Sequence, residues 1–300
     1  GADLPSGSGV LATVNYTPTA ESSSLSLGVD GLGNVDGALT DDNGLGTAKL
    51  KMNGDVAIKL AEVADGDARR ALNLLEICRD VGIKRFVLSS SSSIYGDTEV
   101  FPTPETAPIQ PLSPYGLTKL FGEKCIDYAS NNNENFKIIS LRYFNPVGSH
   151  SSGELGDNPD KPDNIMPLID RCATKKSNLF KIYGSDYPSK DGTAIRDYIH
   201  VLDVVDAHIS ALNNINKFKG HNIFNIGTGK GVTVLEILNK YKKINNINFK
   251  TKKVRRRKGD IPISYASVNK IKKYMKWKSK YNLKDMCKSS FNFAKKTTLK

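Results

Sequence analysis

Two apolar runs with a helical stretch between them constrain the fold of this chain more than any other feature of its sequence. Arg85-Phe-Val-Leu-Ser89 and Lys137-Ile-Ile-Ser-Leu-Arg-Tyr143 have the composition of buried strands. Ser113 and Pro114 are residues that open a helix, so a helix is predicted between the two strands. This order predicts an α/β fold in which a parallel sheet carries helices on its faces.

Helical periodicity recurs in three further ranges, which are Ala68–Asp80, Val201–Leu212 and Val234–Tyr241. Thr233 and Glu236 form a predicted capping box for the last of these helices. The glycine cluster Gly227-Thr-Gly-Lys-Gly231 follows a short predicted strand, Phe224-Asn-Ile226, but lacks the spacing of a phosphate-binding loop. We therefore interpret the cluster as a turn before the helix.

The composition is that of an ordinary soluble protein. The chain has 300 residues, of which 39% are hydrophobic and 25% charged, which suits one large domain or two smaller ones. No apolar run approaches the ~20 residues of a spanning helix and no secretory signal is visible, so we expect a cytoplasmic protein without a membrane partner. The cysteines form no C-x-x-C pair, which argues against a metal site and predicts buried thiols at Cys78, Cys125, Cys172 and Cys287.

Charge is distributed unevenly along the chain, whose formal net charge is +12. Residues 241–300 contain 20 Lys and Arg against Asp260 and Asp285, so this segment carries +18 and the remainder −6. Such a segment could attract a polyanion, although a solvated lysine-rich surface explains it more simply. We do not expect a nucleic-acid partner.

Tyr115 and Lys119 stand at positions i and i+4 of the predicted helix, so their side chains share one face. A phenol titrates near pH ~10, and a neighbouring ammonium favours the phenolate and lowers that pKa toward neutrality. The pair is therefore a candidate acid/base device, although a surface helix can carry both residues by chance. The serine run 89–93 and Asn145 follow predicted strands, where parallel sheets place their chemistry.

Together with several other motifs, these features resemble the extended short-chain dehydrogenase/reductase family, and within it the UDP-sugar 4-epimerases. The resemblance covers roughly residues 71–293. The motifs that carry it, in order, are Ile94-Tyr-Gly-Asp97, Leu141-Arg-Tyr-Phe-Asn-Pro-Val-Gly148, Asn164-Ile-Met-Pro167, Tyr183-Gly-Ser-Asp-Tyr-Pro188, Asp191-Gly-Thr-Ala-Ile-Arg-Asp-Tyr-Ile-His-Val201, Phe224-Asn-Ile-Gly-Thr-Gly229 and Arg257-Lys-Gly-Asp260. The resemblance implies a Rossmann-type, doubly wound sheet with a smaller α/β substrate-binding domain.

The resemblance also implies an activity, the NAD-dependent epimerisation of UDP-glucose and UDP-galactose at C4 through a 4-keto intermediate. Tyr115 is then the general base for the sugar 4-hydroxyl. Lys119 lowers the pKa of Tyr115 and holds the nicotinamide ribose, and Ser91 hydrogen-bonds the reacting oxygen. The predicted cofactor-binding residues are Lys119, Tyr143, Gly7, Gly9, Asp30 and Asp55.

By the same resemblance, nine residues are predicted to bind the rest of the UDP-sugar. Asn145, Asn164 and Ile165 correspond to the diphosphate and sugar site, Lys181 and Tyr183 to the uracil pocket, Arg196 and Arg257 to the diphosphate, Asp260 to the uridine ribose, and Ser264 to the 2-position of the sugar. Ile165 and Tyr183 are equally compatible with a core position, and the two arginines with surface ion pairs. The small Ser264 predicts tolerance of N-acetylated sugars.

Residues 1–66 depart from the family pattern, which begins with a buried strand and a glycine-rich turn. Between Asp55 and Asp67 there is too little chain for the expected strand and loop, so a central strand is predicted to be missing. This segment is a degenerate part of the dinucleotide half, a foreign segment or a faulty sequence. We predict that residues 67–150 form the remainder of the NAD-binding domain and residues 151–300 mainly the substrate domain.

Two alternatives to the epimerase remain. A nucleotide-sugar dehydratase of the same fold normally has an Asp-Glu pair where this chain has Ser92-Ser93. A non-catalytic protein could keep the nucleotide-sugar pocket or use its basic segment to bind a polyanion. The family resemblance also implies a homodimer in which the helix of Tyr115 contributes to the interface.

Overall fold

The computed structural model describes residues 57–58, 78, 83–131, 135–257 and 259–299. The strands in these ranges are β1 (Ala57–Ile58), β2 (Arg85–Ser91), β3 (Lys137–Tyr143), β4 (Asn145–Val147), β5 (Leu179–Tyr183), β6 (Ile195–Arg196), β7 (Tyr198–His200), β8 (His221–Ile226), β9 (Val232–Thr233), β10 (Lys250–Val254) and β11 (Ile263–Ser264). The helices are α1 (Pro114–Asn131), α2 (Ile165–Ala173), α3 (Val201–Asn214), α4 (Val234–Asn245), α5 (Asn269–Met275) and α6 (Leu283–Leu299).

A four-stranded parallel sheet in the order β1-β2-β3-β8 forms the centre of the fold. Alternate residues of each strand face opposite sides, as strand geometry requires. Phe86 and Leu88 pack with Ile126 of α1 on one side of the sheet. Val87 packs with Ala207 of α3 on the other. The predicted parallel sheet with helices on both faces is therefore confirmed.

The prediction that a central strand is missing between Asp55 and Asp67 is wrong. Ala57 and Ile58 form β1, which pairs in parallel with β2 at Phe86 and Val87. Val56-Ala57-Ile58 is a short apolar run, and it directly follows Asp55, which the sequence argument assigned to the cofactor. The position beside β2 is thus occupied, although by only two residues.

Local sequence signals set the starts of the helices. Ser113 Oγ accepts a hydrogen bond of 3.0 Å from Gly116 N in the first turn of α1. Thr233 Oγ1 accepts from Glu236 N at 3.1 Å and caps α4, which confirms one half of the predicted capping box. The carboxylate of Glu236 forms an ion pair with Lys190 at 2.9 Å.

A second core lies beyond the central sheet and contains residues of α2, β5, α4 and α6, such as Ile169, Phe180, Ile237 and Met286. Three small sheets accompany it, with strand orders β4-β7, β10-β5 and β11-β6-β9. All four cysteines are buried thiols, as predicted. In the ranges that the structure describes, no helix has the length and apolar character needed to cross a bilayer.

Candidate active site

The start of α1 lies against the carboxyl end of β2, and a glycine makes this approach possible. A Cβ on Gly116 would lie 2.8 Å from the backbone oxygen of Ser93, closer than real Cβ atoms come. Lys119 Nζ, on the next turn, donates a hydrogen bond of 3.1 Å to the backbone oxygen of Ser89. It also lies 5.5 Å from the ring centroid of Tyr115, whose side chain is 54% exposed. The predicted phenol–ammonium pair is therefore formed at the carboxyl edge of the sheet.

The five serines of residues 89–93 are not equivalent in the structure. Ser90 Oγ donates to Glu123 Oε1 at 2.5 Å, so it faces α1. Ser91 ends β2, and its Oγ accepts a hydrogen bond of 3.2 Å from Ser93 N. Because that contact uses an oxygen lone pair, the hydroxyl hydrogen of Ser91 can be donated to a substrate oxygen. The Oγ of Ser93 is buried and has no partner among the described residues.

Tyr143, predicted to bind the cofactor, is buried at the end of β3. Its hydroxyl lies 2.8 Å from Ser89 Oγ and 2.6 Å from His208 Nε2. Nδ1 of His208 lies 2.8 Å from the backbone oxygen of Val204, which can only accept. Nδ1 therefore carries a hydrogen, and Nε2 lies against the hydroxyl of Tyr143, whose own hydrogen is donated to Ser89 Oγ. His208, which sequence reasoning missed, thus orients the phenol.

Arg196 and Asp260 are brought together on the substrate side. Arg196 Nη2 lies 2.5 Å from Asp260 Oδ1 and 2.7 Å from the backbone oxygen of Ile261. The hydroxyl of Tyr187, which is buried, donates to Asp260 Oδ2 at 3.2 Å. Arg196 therefore forms an ion pair in this structure, but the pair is largely buried and not the surface pair that the sequence also allowed.

Arg257 also forms an ion pair, at 3.1 Å from Asp163, whose side chain is 92% exposed. Its guanidinium lies 4.2 Å from the ring centroid of Tyr183. Tyr183 is half-buried at the end of β5, and Lys181 on the same strand is exposed. Residues two apart in a strand point to the same side, so Lys181, Tyr183 and Arg257 form one cationic and aromatic surface.

The remaining predicted substrate residues occupy four different positions. Asn145 begins β4, and its backbone N–H donates to the backbone oxygen of Asp197 at 3.0 Å. Asn164 precedes α2 and Ile165 is its first residue, half-buried against the second core. Burial raises the pKa of Asp157, and a hydrogen bond with Asn164 opposes that rise. Ser264 pairs with Arg196 in the register of β11 and β6.

Asp197, to which the sequence analysis gave no role, holds together two segments beside the site. It is fully buried, and its Oδ1 accepts from Thr228 N and Oγ1 at 2.8 and 2.6 Å. Its Oδ2 accepts from Gly229 N at 2.9 Å and Ala266 N at 3.1 Å. The glycine cluster is therefore a turn folded around a carboxylate. The available signal was the position of Asp197 next to Arg196 in the same motif.

Four predicted cofactor residues, Gly7, Gly9, Asp30 and Asp55, lie outside the described residues. Among the residues that are described, no group of His, Cys, Asp and Glu side chains could hold a metal ion. The described arrangement can move a proton through Tyr115 and hydrogen-bond a reacting oxygen through Ser91. Arg196 and Arg257 supply positive charge suited to phosphate oxygens.

Comparison with known proteins gave a family match and close relatives. The sequence profile of the NAD dependent epimerase/dehydratase family matches residues 48–227. A bifunctional UDP-glucose 4-epimerase and UDP-xylose 4-epimerase of Pisum sativum is 40% identical over 253 residues, which cover 83% of this chain and 72% of that protein.

Solved structures resemble the chain as well. The UDP-glucose-4-epimerase of Stenotrophomonas maltophila, with bound NAD and formylated UDP-arabinopyranose, superposes with a TM-score of 0.76 at 33% identity and covers 81% of this chain and 75% of that chain. For the UDP-Glc/GlcNAc 4-epimerase of Campylobacter jejuni the TM-score is 0.66 at 34% identity, with coverage of 81% and 76%.

Proposed function

The chain belongs to the NAD-dependent epimerase/dehydratase family, and from that premise we propose that it interconverts UDP-glucose and UDP-galactose at C4 through a transient 4-keto intermediate. The observation that carries the proposal is the Tyr115–Lys119 pair at the carboxyl end of β2, with Lys119 Nζ 5.5 Å from the phenol ring centroid. Ser91 ends the same strand and supplies a hydroxyl. A base, a cation and a hydrogen-bond donor suit removal of a hydroxyl proton.

NAD fits the residues described on the nicotinamide side of this site. The half-buried ammonium of Lys119 stands at the edge where parallel sheets bind nucleotides, and its charge and donors suit ribose hydroxyls. Tyr143 closes the same edge at the end of β3. We assign Gly7 and Gly9 to the pyrophosphate and Asp30 and Asp55 to the adenosine half. When bound, NAD would supply the hydride chemistry at C4.

The chain's own residues carry the proton chemistry. Tyr115, as phenolate, takes the proton from the 4-hydroxyl and gives it back after the keto sugar has turned over. The charge of Lys119 lowers the pKa of Tyr115 and keeps the phenolate accessible near neutral pH. Ser91 donates to the reacting oxygen, because the hydrogen bond that its Oγ accepts from Ser93 N leaves its hydroxyl hydrogen available.

The nucleotide half of the substrate is bound on the surface formed by β5, β6 and β11. Arg196 and Arg257 neutralise the diphosphate, and Asp260 accepts from the uridine ribose. Lys181 and Tyr183 line the uracil pocket. The residues that hold the diphosphate and sugar from the other side are Asn145, Asn164 and Ile165.

We also propose that the site accepts N-acetylated sugars. Ser264, which we assign to the 2-position of the sugar, is half-buried and pairs with Arg196 in the sheet register, so the side chain beside this arginine is a small one. The Campylobacter jejuni relative is named for both UDP-Glc and UDP-GlcNAc. We expect the wild type to turn over UDP-N-acetylglucosamine at a rate comparable to that for UDP-glucose. A Ser264→Tyr variant should lose turnover of UDP-N-acetylglucosamine and keep turnover of UDP-glucose. If the wild type does not turn over the acetylated sugar, the proposed substrate range is wrong.

The activity is tested with the full chain as purified. We expect bound NAD and interconversion of UDP-glucose with UDP-galactose, followed by a coupled assay. Tyr115→Phe should lower kcat by at least about 100-fold, because a general base contributes 10²–10⁴ to the rate. A 4-keto-6-deoxy product would identify a dehydratase. Binding of UDP-sugar by a wild type without NAD would identify a non-catalytic binding protein.

The oligomeric state and location follow the same proposal. We propose a cytoplasmic homodimer in which α1 contributes to the interface. Leu117, Phe121 and Tyr128 of that helix are exposed apolar or aromatic residues, which is typical of interaction surfaces. A monomer mass in light scattering at micromolar concentration would contradict the dimer.

A further inference from the structure

A buried ion pair fastens α1 to the central sheet. Arg142, on β3, and Glu123, on α1, have side chains that are 1% and 4% exposed. Their contact is bidentate, with Nη2 2.6 Å from Oε2 and Nε 2.9 Å from Oε1. Both charges are therefore removed from water, and each satisfies the other in a fork geometry that fixes their relative orientation.

The same arginine also holds the turn that follows Ser91. Arg142 Nη1 donates to the hydroxyl of Tyr95 at 2.9 Å, and its guanidinium lies 4.9 Å from that ring centroid. The Tyr95 hydroxyl in turn donates to Asn225 Oδ1 at 2.7 Å. Burial raises the pKa of Tyr95 to about 12, so it remains protonated and can donate. Arg142 thus contacts both the helix of Tyr115 and the segment against which that helix packs.

Glu123 stands on the face of α1 that carries the proposed acid/base pair. Tyr115, Lys119 and Glu123 follow one another at intervals of four residues, which places them on one side of a helix. Lys119 contacts the backbone oxygen of Ser89, and Glu123 accepts from the hydroxyl of Ser90. Successive turns of α1 are therefore attached to successive residues of β2.

Stability alone does not account for this arrangement. A buried ion pair is seldom better for stability than apolar residues of the same volume, because its attraction must first offset the desolvation of two charges. Its distinguishing property is direction, since a displacement or rotation of α1 breaks a bidentate contact but not an apolar one. We infer that Glu123 and Arg142 are positioning residues that set the depth and rotation of α1 and so hold Tyr115 and Lys119 in their working geometry.

This inference rests on the proposed function for the role of Tyr115, but its test does not require turnover. The pKa of the Tyr115 phenol is measured by NMR titration of ¹³C-labelled tyrosine, with Tyr115→Phe assigning the signal. The principal variant is the double substitution Glu123→Leu with Arg142→Met, which replaces the pair with apolar side chains. The matched control is Glu236→Leu with Lys190→Met at an exposed ion pair.

We expect the principal variant to fold and to keep its bound nucleotide, because it leaves no unpaired charge. The Tyr115 pKa should rise by about one unit, since Lys119 is no longer held close to the phenol. The kcat for UDP-sugar epimerisation should fall by about tenfold to 100-fold with a smaller change in KM. The low-pH limb of the pH profile of kcat should move to higher pH. The control variant should change none of these quantities.

Glu123→Asp provides a second test should the double variant fail to fold. It keeps the charge but shortens the arm by one methylene, so the bidentate contact can form only if α1 moves. The same direction of pKa shift and loss of kcat are expected. A folded variant of either kind with the Tyr115 pKa of the wild type would overturn the inference. A wild type without epimerase activity would refute the proposed function and leave the pKa comparison valid.

Discussion

The difference between Ser91 and Ser93 shows how much at this site depends on single residues. Both are serines of one short run, and composition cannot separate them. Ser91 ends β2, where its hydroxyl accepts from Ser93 N, whereas Ser93 Oγ is buried without a partner in the described part of the chain. The family resemblance singled out Ser91, and the three-dimensional positions give the physical reason, because Ser91 keeps a hydroxyl hydrogen available whereas the Ser93 hydroxyl is enclosed beside Gly116.

Replacement of these two serines by alanine should therefore affect kcat differently. Ser91→Ala removes the proposed donor to the reacting oxygen, and kcat should fall by about 100-fold. Ser93→Ala removes a buried hydroxyl without a described partner, so kcat should be retained and the free energy of unfolding unchanged or higher by up to about 1 kcal/mol. Steady-state kinetics and urea unfolding of both variants test this. Equal losses of kcat would show that Ser91 has no special role.

The elements that sequence reasoning predicted well are those whose signals are local. The strand over 137–143 has the predicted bounds, and the helix of Tyr115 begins where Ser113 and Pro114 indicate. These features depend on side chains within one turn or one strand. The pairing of β10 with β5 and the contact of Glu123 with Arg142 join residues far apart in sequence. No periodicity or capping signal encodes such contacts, so they could not be predicted.

Asp197 acts at the scale of elements, because its carboxylate joins the turn after β8 to the segment after β11. It accepts four hydrogen bonds, from Thr228 N and Oγ1, Gly229 N and Ala266 N. In Asp197→Asn an amide NH₂ would face two of these N–H groups. The free energy of unfolding should fall by about 2–4 kcal/mol.

Asp163→Asn is the control for that substitution. It makes the same chemical change at a carboxylate that is 92% exposed and forms a surface ion pair with Arg257. The free energy of unfolding should change by less than about 0.5 kcal/mol. Urea unfolding measures both variants. A loss in Asp197→Asn no larger than that in the control would contradict the assigned role of Asp197.

For the molecule as a whole, the two cores do not follow the order of the chain. Residues of β8 and α5, such as Phe224 and Ile271, return to the core of the central sheet after the chain has passed through the second core. The predicted boundary at residue 150 describes a trend in sequence and stays a prediction. Charge patterning predicted the basic character of residues 241–300, and the lysines of β10 are exposed. The sequence does not show which elements share a core, because that depends on packing between residues far apart in the chain.

The pH dependence of stability is also a property of the whole molecule, since two buried groups in the second half of the chain oppose each other. Asp170 of α2 accepts from the hydroxyls of Ser290, at 2.5 Å, and Tyr241, and so joins α2, α4 and α6. Burial raises its pKa from 3.8 to about 6, and nearby Asp157 adds to the rise. His200 caps α3 and stacks on Tyr281 with 4.3 Å between ring centroids. Burial lowers its pKa from 6.5 to about 4, and Asp285 opposes that shift.

Proton linkage sets the direction in which each group changes stability with pH. The raised pKa of Asp170 means that the folded state binds a proton first, so this group adds stability as pH falls from 6 to 3.8. The lowered pKa of His200 means that the unfolded state binds a proton first, so this group removes stability as pH falls from 6.5 to 4. Each effect is on the order of 3 kcal/mol. Over most of this window the two contributions cancel in the wild type.

Replacing either Asp170 or His200 should therefore leave the contribution of the other residue to the pH dependence of the unfolding free energy without its opposing contribution. Between pH 7 and pH 4.5, Asp170→Asn should lose more unfolding free energy than the wild type, because it lacks the proton uptake that offsets protonation of His200 in the unfolded state. His200→Asn keeps a side chain that can cap α3 and should lose less than the wild type. Urea unfolding at the two pH values gives both differences. Parallel pH profiles for all three proteins would contradict this opposition of Asp170 and His200.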